Sequence, residues 1–189
     1  VANPNETHVI ALKRILRYLK GSIKKKLQIN KNSDGFVMEA YADADFGGEP
    51  DGNENAMKST SGCLIQICGI GIIYCQSKLQ TVVSTSTAQS EYLALSNCAT
   101  TVSAIRQLLE RLGVIELVQN KPTVIYQDNN AAMAIANSNL CSAKTKHIQL
   151  AFHEVKDLIK TREIELRKCS SDDMLADMFT KPLPREPFL

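Results

Sequence analysis

Hydrophobic positions recur with two different periods along this chain, and the switches between them predict an order of elements. Val9, Leu12, Leu16 and Leu19 fall at helical spacing within 6–20, with Asn5 placed to cap the start and Gly21 to end it. This helix therefore has one apolar face to bury. Positions 27–30 form a candidate strand, and 36–43 alternate apolar and polar residues as a half-buried strand does. Residues 49–55 are rich in turn formers and read as an exposed loop. Two strands follow at about 62–68 and 70–77, their turn bracketed by Gly69 and Gly71, and 80–84 is expected to continue the second. A long helix spans 87–113, burying Tyr92, Leu95, Ala99, Val102, Ile105, Leu109 and Leu112. Next come a buried strand (123–127), a short Ala-rich helix (130–136), and a helix at 148–161 packing through Ile148, Phe152, Val155 and Ile159. A strand at 164–168 precedes a last helix, 172–179, introduced by a capping-box arrangement of Ser170 and Asp173. The tail from 181 contains three prolines and cannot be helical. Strands first and then strands alternating with helices describe a mixed sheet covered by helices, an α/β fold.

The 189 residues suffice for one well-buried domain, and 44% apolar with 22% charged residues is ordinary for a globular protein. The longest apolar run, around 70–74, is far too short to cross a membrane, so no membrane association is expected. The N-terminus lacks a signal-peptide pattern and a starting Met, as expected of a piece of a longer polypeptide. Cys63, Cys68, Cys75, Cys98, Cys141 and Cys169 form no C-x-x-C pair, which argues against structural zinc. Most of them fall in apolar stretches and read as small core residues in a reducing compartment. Net charge is +2, yet Lys13, Arg14, Arg17, Lys20, Lys24, Lys25 and Lys26 crowd one segment. Phosphate contact and a solvated helix face both account for that crowding.

Candidate chemistry rests on Asp43, Glu91, Asp128 and Asp177, each placed at a strand end or in a helix. Carboxylates from separate elements can converge without being neighbours in sequence. Such a cluster costs repulsion and desolvation unless cations neutralise it, so it points to divalent metal. Singly, each acid is equally at home as a solvated or capping carboxylate.

Six local words follow one another in order: Tyr41-Ala-Asp-Ala-Asp-Phe-Gly, Lys58-Ser-Thr-Ser-Gly-Cys, Ser84-Thr-Ser-Thr-Ala-Gln-Ser-Glu-Tyr-Leu-Ala-Leu, Gln127-Asp-Asn-Asn-Ala-Ala, Lys144-Thr-Lys-His-Ile and Ala176-Asp-Met-Phe-Thr-Lys-Pro-Leu. Together they resemble the ribonuclease H domain at the end of the Pol polyprotein of copia-type retrotransposons. The opening stretch from His8 to Gly21 is similar to the helix that joins the reverse transcriptase to that domain. Departures from the family pattern are Phe46 in place of Trp, Gln89 in place of an acid, a longer loop at 49–56, and an end at Leu189 before the usual C-terminal helix.

The resemblance implies a ribonuclease H-like mixed five-stranded sheet flanked by helices, with an N-terminal connecting helix. It implies a connecting segment at 1–30, the ribonuclease H-like domain at 31–182 and a tail at 183–189. It also implies hydrolysis of the RNA strand of RNA/DNA hybrids, using two Mg²⁺ ions, or Mn²⁺ as a substitute, and no small-molecule cofactor. Asp43 would bridge both ions, Glu91 and Asp128 would complete one, and Asp177 would hold the other. Expected partners are an RNA/DNA hybrid and the reverse transcriptase domain of the same polyprotein, in the cytoplasm or within virus-like particles. Expected substrate contacts are Ser59, Thr60, Ser61, Ser84, Asn129 and Asn130 for sugar and phosphate oxygens, with Lys144 and Lys146 for phosphates.

Asp45 is read as a turn residue, and His147 and His153 as structural or surface residues, because the loop before Asp177 holds no His. One competing reading is a catalytically inactive nucleic-acid-binding module of the same fold. Another is a transposase or integrase with an Asp-Asp-Glu site, for which Glu163 stands at a strand entrance where a helix would be needed.

Overall fold

The computed structural model describes residues 3–27, 29, 36–47, 57–118, 121–138 and 146–183, with backbone only at 117 and 146–148. The loop at 49–56, Cys141, Lys144, the side chains of Lys146 and His147, and the tail from 184 therefore lie outside the described residues.

Five strands form one mixed sheet: β1 (Met38–Asp45), β2 (Thr60–Ile67), β3 (Gly71–Leu79), β4 (Thr123–Gln127) and β5 (Ile164–Lys168), in the order β3-β2-β1-β4-β5. β1, β2 and β3 pair antiparallel as a meander, with Gly69 and Gly71 both at positive φ in the tight turn between β2 and β3. The chain then crosses through a long helix, α2 (Thr87–Arg111), to lay β4 parallel to β1. Helices α3 (Asn130–Asn137) and α4 (Lys146–Lys160) make the second crossover, to β5, parallel to β4.

Period two along β1 sends Met38, Ala40 and Ala42 to one face, where they are fully buried with Ile65 and Ile125 against Tyr92, Leu95, Ala99 and Val102 of α2. Phe152 and Val155 of α4 close the same core, and the Tyr92 hydroxyl reaches the Phe152 carbonyl. The predicted stripe of α2 holds through Val102 and then rises to the surface, ending at Leu112, which is 64% exposed. The small alanines of β1 let a helix approach the centre of the sheet.

Several expectations need correction. The N-terminal helix α1 (Glu6–Ser22) runs through Gly21, its start fixed by the Asn5 cap, which His8 reciprocates. None of its residues is buried. Leu27 and Ile29 are exposed and belong to no strand. Positions 80–84 do not extend β3. Gln80 turns inward and spends its side chain on Ser61, Ser84 and the Ser90 carbonyl. The last helix is instead two 3₁₀ turns, Ser171–Asp173 and Leu175–Phe179, separated by Met174 in an extended conformation. Ser170 caps only the first of them, accepting from the Asp172 amide. Among the described residues no helix is long and apolar enough to cross a membrane.

Candidate metal centre

Asp43 lies near the end of central strand β1, and it is held there by a register that sets it opposite Gly62 of β2. Glu91 sits one turn into α2, whose start is fixed by Ser86 accepting from the Gln89 amide. Asp128 follows β4 directly, where the next residue, Asn129, caps α3 by accepting from the amides of Ala131 and Ala132. Because β1 and β4 are parallel neighbours, their carboxyl ends fall together, and α2 descends onto that end. The result is that one carboxylate oxygen from each of Asp43, Glu91 and Asp128 lies within 4.8 Å of the others.

Asp43 and Glu91 are nearly inaccessible, at 4% and 5% exposure. Glu91 accepts from the Ala44 amide at 3.1 Å and from the Gln127 side-chain amide at 3.4 Å. Those two donors favour its charged form, but burial and the charges of Asp43 and Asp128 outweigh them, pushing Glu91 from 4.5 up to about 8. Burial likewise raises Asp43 from 3.8 to about 6, opposed first by a hydrogen bond from Thr180 and reinforced by the charge of Asp177. Gln127 organises the floor of the site. Its carbonyl oxygen accepts from the amides of Asp128 at 2.8 Å and Asn129 at 3.0 Å while its amide holds Glu91. Ser171 donates to Asp128 at 2.7 Å.

Asp177, on the second 3₁₀ turn, is not one of the three acids that share that span, but its charge reaches Asp43. Its Oδ2 pairs with the Lys181 ammonium at 2.8 Å, and its Oδ1 is buried with no hydrogen-bond partner. The Thr180 hydroxyl donates to Asp43 and lies 3.2 Å from the Asp177 carbonyl, tying this turn to β1. Gly62 is what allows the approach. A Cβ there would lie 2.6 Å from the Thr180 methyl and 2.7 Å from the Ala176 carbonyl. Acids this crowded, with an orphaned oxygen among them, form an oxygen-rich donor set that fits a hard divalent cation.

The remaining candidates divide by position. Ser59, Ser61 and Ser84 are buried, and their hydroxyls are engaged within the chain, by Gly47, Gln80 and Gln80 respectively. Thr60 and Asn129 are half-buried and Asn130 is exposed. Asp45 is exposed beyond the cluster. His153 is exposed on α4, its ring edge-on to Phe152 at 5.7 Å. Glu163 is spent at the opposite end of β4: its carbonyl accepts from Thr123 and its carboxylate from Ser103. That placement removes the support for an Asp-Asp-Glu site.

Sequence reasoning missed Gln127, Ser171, Thr180, Lys181 and Gly62 as builders of the site. All but Ser171 lie inside the six ordered words, yet no periodicity distinguishes a residue that supports a carboxylate from one that faces solvent.

No protein-family model matches the chain. It is 32% identical, over 98% of its length, to the retrovirus-related Pol polyprotein from transposon TNT 1-94 of Nicotiana tabacum, of which it spans 13%. Its fold is similar to that of RNase H1 from the halophilic archaeon Halobacterium salinarum NRC-1, with a TM-score of 0.52 at 11% identity, covering 76% of this chain and 94% of that one. It is also similar to LC11-RNase H1, solved in complex with an RNA/DNA hybrid, with a TM-score of 0.50 at 12% identity over 76% of this chain and 93% of that one.

Proposed function

We propose that the chain is the ribonuclease H domain of a copia-type Pol polyprotein, a reading supported by its 32% identity over 98% of its length to such a polyprotein, and that it hydrolyses the RNA strand of an RNA/DNA hybrid with the help of divalent metal. The observation that carries this reading is the convergence of Asp43, Glu91 and Asp128, with one carboxylate oxygen of each inside a 4.8 Å span. Asp43, Glu91 and Asp128 would hold one Mg²⁺ or Mn²⁺, and Asp43 with Asp177 a second. The chemistry such ions would supply there is activation of a water and stabilisation of charge on the departing 3′ oxygen of the RNA.

The chain's own part is to present these oxygens charged and oriented. Gln127 and the Ala44 amide fix the Glu91 carboxylate, Ser171 fixes Asp128, and Thr180 fixes Asp43. Glu91 must give up its proton to act as a ligand, because an ion binds only the carboxylate form. Thr60, Asn129 and Asn130 suit contact with sugar and phosphate oxygens, whereas the hydroxyls of the buried Ser59, Ser61 and Ser84 are engaged within the chain. Lys144 and Lys146 are assigned to phosphates. The reverse transcriptase domain of the same polyprotein is the proposed covalent partner.

The test is cleavage of a labelled RNA/DNA hybrid with Mg²⁺ or Mn²⁺, compared with single-stranded RNA and duplex DNA, for the native chain and D43N. Cleavage confined to the RNA strand of the hybrid, abolished by EDTA and by D43N, is expected. A native chain that binds hybrid yet never cuts it would make this a binding module of the same fold.

A further inference from the structure

Lys181 is the cation that the described residues set against this acidic centre. Its ammonium lies 2.8 Å from Asp177 Oδ2, and its charge is felt by Asp43 and Asp128 as well. Its backbone is anchored by the Lys181 amide donating to the Asp177 carbonyl at 3.1 Å, while neighbouring Thr180 is bonded to Asp43. The lysine is thus tethered to the cluster by one short turn. Its side chain nevertheless remains 42% exposed, so the ammonium can swing out to water at little cost. The other oxygen of Asp177 is buried and unpartnered. A carboxylate half satisfied by a mobile point charge is poised for exchange with a stronger cation.

We propose that Lys181 is a positioning residue acting as a tethered counter-ion: it holds the Asp177 carboxylate in the metal-free chain and gives way when a divalent ion binds there. This rests on the metal reading above and deepens it, because it makes the affinity of the centre a property of the Thr180-Lys181 turn as well as of its ligands. An ammonium that must be displaced weakens metal binding. It also spares the metal-free chain the full repulsion of its acids, keeping the last turn docked.

The test is Mn²⁺ titration by calorimetry of EDTA-stripped protein, with melting curves at zero and saturating Mn²⁺, for the native chain, K181M, K181R and K160M on the outer end of α4. K181M should melt lower without metal, bind Mn²⁺ about three- to tenfold more tightly, and lose its melting deficit at saturation. K181R should bind no more tightly than the native chain, K160M should match it, and in a D177N background the gain from K181M should shrink to what the lysine charge exerts on Asp43 and Asp128. Unchanged or weaker Mn²⁺ binding by K181M, or a deficit that persists at saturation, would show an ordinary surface ion pair and overturn the inference alone. A native chain that takes up no Mn²⁺ would overturn the metal reading and this inference with it.

Discussion

Glu91 is where the cost of assembling the centre is concentrated. Its pKa of about 8 when folded, against 4.5 ordinarily, means the native state holds a proton that the unfolded chain has released. The resulting stability is fully present below about 4.5 and is lost as pH rises through 8; Asp43 adds the same trend between 3.8 and about 6. Metal-free protein should therefore resist urea best in mild acid and weaken steadily towards pH 8. E91Q should flatten that slope and be the more stable protein at pH 8, and a slope unchanged in E91Q would mean Glu91 is not the group responsible. Under the proposed metal reading Mg²⁺ should reverse the trend, because an ion binds only the deprotonated acids, so its stabilising effect should be larger at pH 8 than at pH 6. D43N removes a proposed ligand and a charge while leaving shape intact. It should abolish metal-dependent cleavage without lowering the melting temperature of the metal-free chain. The convergence of Asp43, Glu91 and Asp128 was legible in the sequence because each stands in a distinctive word. Their supports, Gln127, Ser171 and Thr180, were not, since a side chain that bonds a carboxylate leaves no trace in hydrophobic period.

At the scale of elements, the sheet was legible wherever one pattern dominated. Positions 123–127 and 164–168 became strands with the expected bounds, and α2 kept its buried stripe until it left the core. The last helix was misjudged for a physical reason. Met174 breaks the segment so that Thr180 and Ala176 can lie on β2, and tertiary contact overrides a capping signal that alone would start a helix. Gly62 is the other half of that contact. G62A puts a methyl into backbone and side chain it cannot share space with, and such overpacking typically costs about 1–3 kcal/mol. The variant should also lose Mn²⁺ affinity, because the turn carrying Asp177 and Thr180 must move away from Asp43. Calorimetry and urea unfolding on the same sample check both. If stability falls while Mn²⁺ affinity is kept, the turn is not what brings Asp177 to the site.

Across the whole molecule, stability and charge are set in different places. The core is one cluster between the sheet and α2 with α4, centred on residues such as Leu95 that are wholly inaccessible. α1 contributes nothing to it: Val9, Leu12, Leu16 and Leu19 are 46–56% exposed. The helical period of those residues marks one apolar face, but period cannot report what covers it, and here the face stays exposed. L95A should therefore cost about 2–5 kcal/mol in urea unfolding. L12S/L16S should change unfolding of the sheet by less than about 0.5 kcal/mol, and a larger loss would mean that α1 docks on the sheet. The basic side chains of the same helix are free to act at a distance. If Lys13, Arg14, Arg17 and Lys20 meet hybrid phosphates, replacing all four with Ala should weaken binding and lower its salt dependence by roughly one unit of slope for each phosphate no longer neutralised. Cleavage at saturating hybrid should stay unchanged, because none of the four belongs to the turn and strand ends that gather the acids. A salt dependence untouched by the four replacements would leave the stripe as a solvated helix face.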